Sequence, residues 1–357
     1  MLMVSPRKHN ERQEPIEIVA VFVQAAADTG YAFAICDLAA KRGATVLLIV
    51  VLVRSLYEYL LDIPLGNVEL YFVPYFLQPM PRSPSALFHA HRQLYSHYSS
   101  IFRNRRVAEA WFFCAQWDAV TPYFLRRLSR TTQIFLADHY CMPEVREKRW
   151  PLRLFVKWLF LRLATGVSFD FCKEKLETGS EVVWRTTFDP SMCRTKRVEI
   201  TPRWSCIPLP VTVALPTVIL MDSNEDVSPV ITEYRSIVSA VLANLSSRKI
   251  NVLLKVHPRV GCSAFLEAYN LPALPAGCPL ELFDIGGIGA VIGVNSLGLA
   301  AIARLGYPAV SLLYLIDFHD ENSRTFWREW MDRHSDGKVL FPHSIPEVFE
   351  IIERVPK

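Results

Sequence analysis

Three short segments in the C-terminal half of the chain place polar residues where chemistry could occur. The first reads Lys255-Val256-His257-Pro258-Arg259, the second Pro279-Leu280-Glu281, and the third Val294-Asn295-Ser296-Leu297. Strand alternation puts Lys255 and His257 on one face, and Pro258 ends the strand directly after the histidine. Cations and an imidazole at a strand end suit a phosphate, whose departure as a leaving group a histidine can assist. Asn295 or Ser296 is placed to cap a following helix, and the free N–H groups there favour an anion. Glu281, acceptor-only when ionised, suits a ribose diol. Each signal alone is common: His-Pro pairs and serine caps occur in many folds. A fourth candidate lies in the N-terminal half, where Ala137-Asp138-His139-Tyr140 closes an apolar run. Asp138 is placed for a catalytic base, and equally for a turn or helix cap.

Strand and helix patterns must carry these residues. The apolar, β-branched runs 16–24 and 44–53 read as buried strands, with a helix between them running to Arg42 and stopped by Gly43. Further strands are expected at 68–73, 109–115, 132–137 and 181–188, and helices at 88–102, 119–130 and 150–164, with a proline-rich loop over 74–84. The segment 207–216 holds three prolines and no helical period, as a linker would. Strands at 217–221, 251–257, 290–294 and 309–313 then alternate with helices at 229–245, 264–269 and 296–305, and helices at 323–333 and 345–355 close the chain. Repeated strand–helix units on both sides of a linker predict an α/β protein of two parallel-sheet domains, residues 1–208 and 209–357, facing a cleft. Ligands of open parallel sheets bind at the strands' carboxyl ends, where the candidate residues fall. No G-x-G-x-x-G occurs, so no dinucleotide fingerprint is read.

Composition excludes several classes. The 357 residues are 51% hydrophobic, ample for two cores. The mean hydropathy is +0.19, yet no apolar run reaches the roughly 18 residues of a spanning helix. The polar N-terminus lacks the apolar centre of a secretory signal, which leads to the expectation of a cytoplasmic protein. The eight cysteines are dispersed without a C-x-x-C pair, so buried free thiols are expected rather than zinc ligands. His89, His91 and His97 lack the spacing of two ligands on one helix face. A net charge of +4 is modest for a nucleic-acid binder, and no nucleic-acid partner is expected. The charge is uneven, however. Residues 82–162 carry 14 Lys/Arg against 5 Asp/Glu, which suits an anionic acceptor or membrane surface, or a set of solvated helix faces. The helix over 150–164 reads either as a buried amphipathic helix or as one lying in a membrane interface.

Taken together, Lys-x-His-Pro-Arg, then Pro-x-Glu-Leu-Phe, then Asn295-Ser296 after a strand, then Leu305-Gly306-Tyr307-Pro308 resembles the bacterial lipooligosaccharide sialyltransferases and capsular polysialyltransferases. Trp184-Arg185-Thr186-Thr187-Phe188 also looks like a segment before the linker in this group. The resemblance implies a GT-B fold, with an acceptor-binding N-terminal and a nucleotide-sugar-binding C-terminal Rossmann-like domain. It implies inverting transfer of sialic acid from CMP-sialic acid to a surface glycan, with no metal or other cofactor. It would make His257 and Asp138 the catalytic residues. Ser296 and Asn295, with Lys255, Pro258 and Arg259, would lie around the donor phosphate, and Pro279 and Glu281 by the cytidine ribose. The basic stretch 82–162 would then serve an anionic acceptor glycan or the inner membrane face where such glycans are built. The match in motif order covers about residues 217–315. Where the family has acid-acid-glycine this chain has Ala137-Asp138-His139, and where the family shows consecutive hydroxyls it has Asn295-Ser296-Leu297. The same residues would also suit a transferase with another nucleotide-activated donor, or a non-catalytic glycan- or nucleotide-binding member of an assembly complex.

Overall fold

The computed structural model describes residues 17–74, 83–113, 120–137, 145–146, 152–165, 170–175, 182–187, 196–210, 216–223, 233–257, 261–317 and 321–354. The chain begins with β1 (Ile18–Val23), α1 (Thr29–Lys41), β2 (Thr45–Val51), α2 (Arg54–Leu61), β3 (Val68–Val73) and α3 (Pro84–Phe102). It continues through β4 (Val107–Phe112), α4 (Val120–Leu128), β5 (Gln133–Leu136), β6 (Val145–Arg146), α5 (Leu152–Thr165), β7 (Asp170–Lys175), β8 (Val182–Thr187) and β9 (Lys196–Arg197). After β10 (Ile207–Pro208) come β11 (Thr217–Met221), α6 (Tyr234–Ser247), β12 (Asn251–Lys255), α7 (Ala264–Glu267), β13 (Ala273–Leu274), β14 (Phe283–Asp284) and β15 (Ala290–Gly293). The last elements are α8 (Leu297–Arg304), β16 (Ala309–Ser311), α9 (Glu321–Ser335) and α10 (Ile345–Arg354).

Two parallel sheets dominate. One has the order β3-β2-β1-β4-β5-β9 and the other β13-β12-β11-β15-β16. In each, the chain starts at a central strand, winds outward to one side, then crosses back to the other. This is the Rossmann-like winding, and it leaves a crevice where the direction reverses, between β1 and β4 and between β11 and β15. A small antiparallel sheet, β6-β7-β8, stands apart.

Alternation along the first sheet separates its two faces. Val19, Val21 and Val23 of β1, with Val46, Leu48 and Val50 of β2, pack with α1 and α2 on one side. Ala20, Phe22, Leu47, Ile49 and Val51 pack with α3 and α4 on the other. The first cluster runs without a break into the second domain, reaching Ile219, Leu254, Phe283 and Ile292. The domains are therefore packed together over part of their facing surfaces.

Several element boundaries differ from the sequence reading. The apolar run expected to be a strand to Val53 stops at Val51, because Leu52 takes a left-handed φ of 72° and turns the chain into α2. That helix was not foreseen in the sequence, where its eight residues form only two turns. Helix α3 starts earlier than expected: Pro84 occupies its first turn and the Ser83 hydroxyl accepts the Ala86 N–H at 3.2 Å. The expected last strand over 309–313 ends at Ser311, whose hydroxyl accepts from Leu313 N and starts a 3-10 turn. The described part of the helix expected over 229–245 starts at Tyr234 and runs to Ser247. Among the described residues Cys36, Cys206, Cys262 and Cys278 are free thiols, as expected, but only Cys278 is fully buried and the other three are partly exposed.

Candidate functional site

The crevice between β11 and β15 collects most of the sequence candidates. Met221 of β11 and Lys255 of β12 are register partners, and Gly293 of β15 is the partner of Ser311 of β16. Past this row the chain turns at Asp222, at Val256 and His257, and at Val294 to Ser296. The Ser311 hydroxyl donates to the Val294 carbonyl at 2.6 Å, which fixes the turn leading into α8. Ser296 is the N-cap of α8, and its hydroxyl oxygen accepts the Gly298 N–H at 3.2 Å. Asn295 precedes it in the same turn. The positive end of α8 thus lies at the mouth of the crevice.

Lys255 ends β12 and is buried, 5% exposed. Its ammonium donates to the Ala276 carbonyl at 2.9 Å and the Val256 carbonyl at 3.1 Å. Burial pulls its pKa from 10.5 down to about 8, and the charges of Cys278 and Glu281 act the opposite way. An ammonium so held can lend positive charge to an anion with little reorientation.

Glu281 sits on a single 3-10 turn after Pro279 and is buried to the same extent as Lys255. Burial raises its pKa; a hydrogen bond to its own backbone and the Lys255 and Arg304 charges pull it down. Its carboxylate lies by the first turn of α8: a Cβ placed on Gly298 would be 3.7 Å from Glu281 Oε2 and 3.5 Å from Ser296 Oγ. Gly298 is buried, and the space a side chain would take there is bounded by the acid, the hydroxyl and the Met221 methyl group, 2.9 Å from the same Cβ. Pro279 is buried beside them, at the start of that turn.

His257 follows Lys255 at the sheet edge and pairs through its backbone with Gly261, at 3.3 and 3.0 Å, with Gly261 in a left-handed turn. Pro258 and Arg259 lie outside the described residues, and so does Asp138, the expected base. Asp222, at the end of β11, has a packing role in this structure. Its carboxylate accepts from Tyr234 Oη at 2.8 Å, Ser263 Oγ at 2.8 Å and Ser263 N at 2.6 Å. It ties α6 and the start of α7 to the sheet.

The first domain brings its own crevice to this edge. Asp28 follows β1 and accepts from the Gln24 and Ala25 N–H groups, both at 2.8 Å, closing the loop before α1. Tyr31, in the first turn of α1, is hydrogen-bonded to Arg304 of α8. Burial raises the Tyr31 pKa, the Arg304 charge and hydrogen bond lower it, and Asp28 and Glu281 raise it. Tyr59 of α2 lies near Cys278 and stands edge-on to Phe283, 6.3 Å between ring centres. The Cys278 thiol is pushed up to about 12, chiefly by burial, so it stays protonated. Residues 203–206 strap the two domains: Arg203 N donates to Gly30 O at 2.9 Å, while Ser205 N and Cys206 N donate to Glu281 O and Leu282 O, each at 2.9 Å. The Arg203 side chain also pairs with Asp37 of α1.

The structure therefore gathers Lys255, Glu281, Ser296 and the α8 start around one crevice. It adds Tyr31, Arg304 and Cys278, which the sequence reading did not single out. Tyr31 and Arg304 lie far apart in the chain on different domains, and no local spacing links them. Among the described residues no group of three or more His, Cys, Asp or Glu could hold a metal ion. A buried ammonium, a capped helix start and an acid can bind an anionic group carrying hydroxyls nearby.

No family model matches the chain, and no curated protein shows significant similarity to it. Among solved structures, the chain is similar to a glycosyltransferase of kitacinnamycin at 11% identity, over 96% of this chain and 91% of that one, with a TM-score of 0.46. It is similar to the E. coli ADP-heptose LPS heptosyltransferase II at 10% identity, over 95% and 99%, with a TM-score of 0.42. It is also similar to the UDP-GlcNAc 2-epimerase of Methanocaldococcus jannaschii at 10% identity, over 95% and 92%, with a TM-score of 0.43. The two parallel sheets, each with a switch-point crevice and joined by a strap, make up the GT-B-like α/β architecture expected from the sequence.

Proposed function

We propose that the protein is a glycosyltransferase that binds a nucleotide-activated sugar at the carboxyl edge of its C-terminal sheet, with CMP-sialic acid as donor and a surface glycan of lipooligosaccharide or capsule type as acceptor. One observation carries this reading. The buried Glu281 carboxylate lies at the first turn of α8, the helix that Ser296 caps, and the buried Lys255 ammonium is one of the two charges acting on that carboxylate. That is where an open parallel sheet binds a phosphate-bearing ligand.

In this mechanism the donor phosphate lies against the α8 start, with Ser296 and Asn295 beside it. Lys255 supplies fixed positive charge, and His257 acts on the donor phosphate, with Pro258 and Arg259 next to it in sequence as further donor-binding residues. Glu281, following Pro279, accepts from the ribose hydroxyls. Asp138 takes the proton of the acceptor hydroxyl. The acceptor oxygen then forms its bond to the anomeric carbon from the face opposite the nucleotide. The bond from that carbon to the phosphate oxygen breaks, and CMP leaves with the electron pair. His257 and Lys255 stabilise the charge that builds on the phosphate. The anomeric configuration inverts. No metal or other cofactor enters the scheme.

Calorimetric titration with CMP, wild type beside His257→Ala, tests the reading. Binding that weakens at least about tenfold in the variant is expected, as for loss of a hydrogen bond to a charged group. Binding of UDP or GDP in place of CMP would keep a nucleotide-sugar transferase and overturn the sialyl donor. No nucleotide binding at all would overturn the transferase reading.

A further inference from the structure

The three helices on one face of the first sheet differ from those on the other. Helices α3, α4 and α5 together contain no aspartate or glutamate, against six Lys/Arg: Arg92, Arg126, Arg127, Arg153, Lys157 and Arg162. On the opposite face α1 carries Asp37 and α2 carries Glu58, beside Lys41 and Arg54. Arg103, Arg106 and Arg130, just beyond α3 and α4, are exposed. A layer of helices free of acids has an unbalanced positive field.

The same face exposes large apolar side chains in order. Leu152, Phe155, Val156, Leu159 and Leu163 of α5 are all exposed, Leu152 at 78% and Leu163 at 62%. Their spacing puts them within an arc of roughly 100° on the helix. Trp158, off that arc, packs toward the α3–α4 cluster, and the Arg162 guanidinium lies over its ring at 5.0 Å. Helix α3 packs beside α5. It adds Phe88, 69% exposed, and Tyr95, with the exposed Arg92 between them at helical spacing. Arg127 of α4 covers the Tyr95 ring at 5.3 Å. Single exposed apolar residues are ordinary; a continuous stripe rimmed by arginine is an interaction surface.

We infer that this face of the N-terminal domain, with the α5 stripe at its centre, docks on an anionic lipid surface. Charge chooses the occupant. The arginines of these three acid-free helices are complementary to phosphate headgroups, and the leucine and phenylalanine stripe reaches the acyl boundary beneath them. The helix lies on the membrane rather than across it. At 14 residues it is about 21 Å long, and no helix among the described residues is long and apolar enough to cross a bilayer. The inference is independent of which donor the crevice binds.

Vesicle co-sedimentation of the full chain tests it, using phosphatidylcholine alone and phosphatidylcholine with about one third phosphatidylglycerol. The expected result is binding to the anionic vesicles that falls with added salt. It should drop at least about tenfold in Phe155→Glu/Leu159→Glu. Phe326→Glu, an exposed apolar position on α9 of the other domain, should leave it unchanged. Arg92→Glu/Arg162→Glu, both exposed, provides a second readout should the apolar pair fail to fold, and should also weaken binding. Equal binding to both vesicle types, or binding indifferent to both double variants, would overturn the inference. So would a dimer in vesicle-free solution that Phe155→Glu/Leu159→Glu dissociates, which would make the stripe an interface between copies of the chain. Retention of an anionic glycan in place of vesicles, lost in the arginine variant, would assign the face to the acceptor and also overturn it.

Discussion

The Glu281 carboxylate and the Ser296 hydroxyl stand on either side of the same bare backbone position, with a Cβ on Gly298 falling 3.7 and 3.5 Å from them. An acid and a capping hydroxyl meet at the positive end of one helix, and the small opening left by the missing side chain is bounded on its nearest side by the Met221 methyl group.

Filling that opening should separate binding from stability. A Cβ on Gly298 would press on the end of the flexible Met221 side chain at 2.9 Å, which can move aside. Gly298→Ala is expected to leave the melting temperature unchanged or raise it, since alanine favours a helix by up to about 1 kcal/mol over glycine. Nucleotide affinity should fall, because the methyl group stands where the phosphate approaches the helix start. A variant binding CMP as tightly as wild type would move the phosphate elsewhere.

Glu281 offers a second separation. As an acceptor for ribose hydroxyls it should matter to a nucleotide and not to inorganic phosphate. Glu281→Gln is expected to weaken CMP by about tenfold or more. It should leave phosphate binding the same or tighter, since an acid near the helix start is removed. Equal losses for both ligands would show that Glu281 acts only through packing.

Lys255 predicts a pH dependence. Its folded pKa, about 8, lies below the ordinary 10.5. Between those values the unfolded chain holds a proton that the folded chain has released, so this group makes stability rise with pH across the window. Below pH 8 the penalty for burying the charge is fully present. The thiols of Cys36 and Cys278, pushed up by burial to about 12, act the other way above their ordinary value of 9.0. Comparison with Lys255→Met, both in a Cys278→Ser background, removes the Cys278 contribution and cancels that of Cys36. From pH 7 to 10.5 the protein with Lys255 should gain up to about 3 kcal/mol relative to the variant in chemical denaturation. Parallel profiles for the two proteins would show that the ammonium is not perturbed.

The domain junction should be sensitive at Gly277. A side chain there would run into the Ser55 carbonyl and the Leu56 N–H at the start of α2, and backbone cannot step aside. Gly277→Ala is expected to destabilise the protein by about 1–3 kcal/mol through overpacking. It should also loosen the Tyr59–Cys278 contact, seen as faster labelling of the Cys278 thiol. Unchanged melting and unchanged labelling would mean that the domains do not press together at this point.

What the sequence determined by itself is local. Apolar and β-branched runs marked β1, β2, β11, β12 and β15, and cap chemistry placed Ser296 at a helix start, whereas the strand expected to reach His257 ends at Lys255. Those features depend on neighbours within a few residues, where a period of 2 or 3.6 is visible. Helix α2 was missed because the left-handed turn at Leu52 that starts it has no marker in the residue types. Only the tertiary structure decided that Glu281 lies at the start of α8, that Tyr31 meets Arg304, and that Gly277 rests on Ser55. It also decided that the α5 leucines at 152, 159 and 163 face outward while Trp158 packs inward. Such relations join residues far apart in the chain or choose which side of a helix meets the core, and packing settles them through burial and steric fit that no local pattern records.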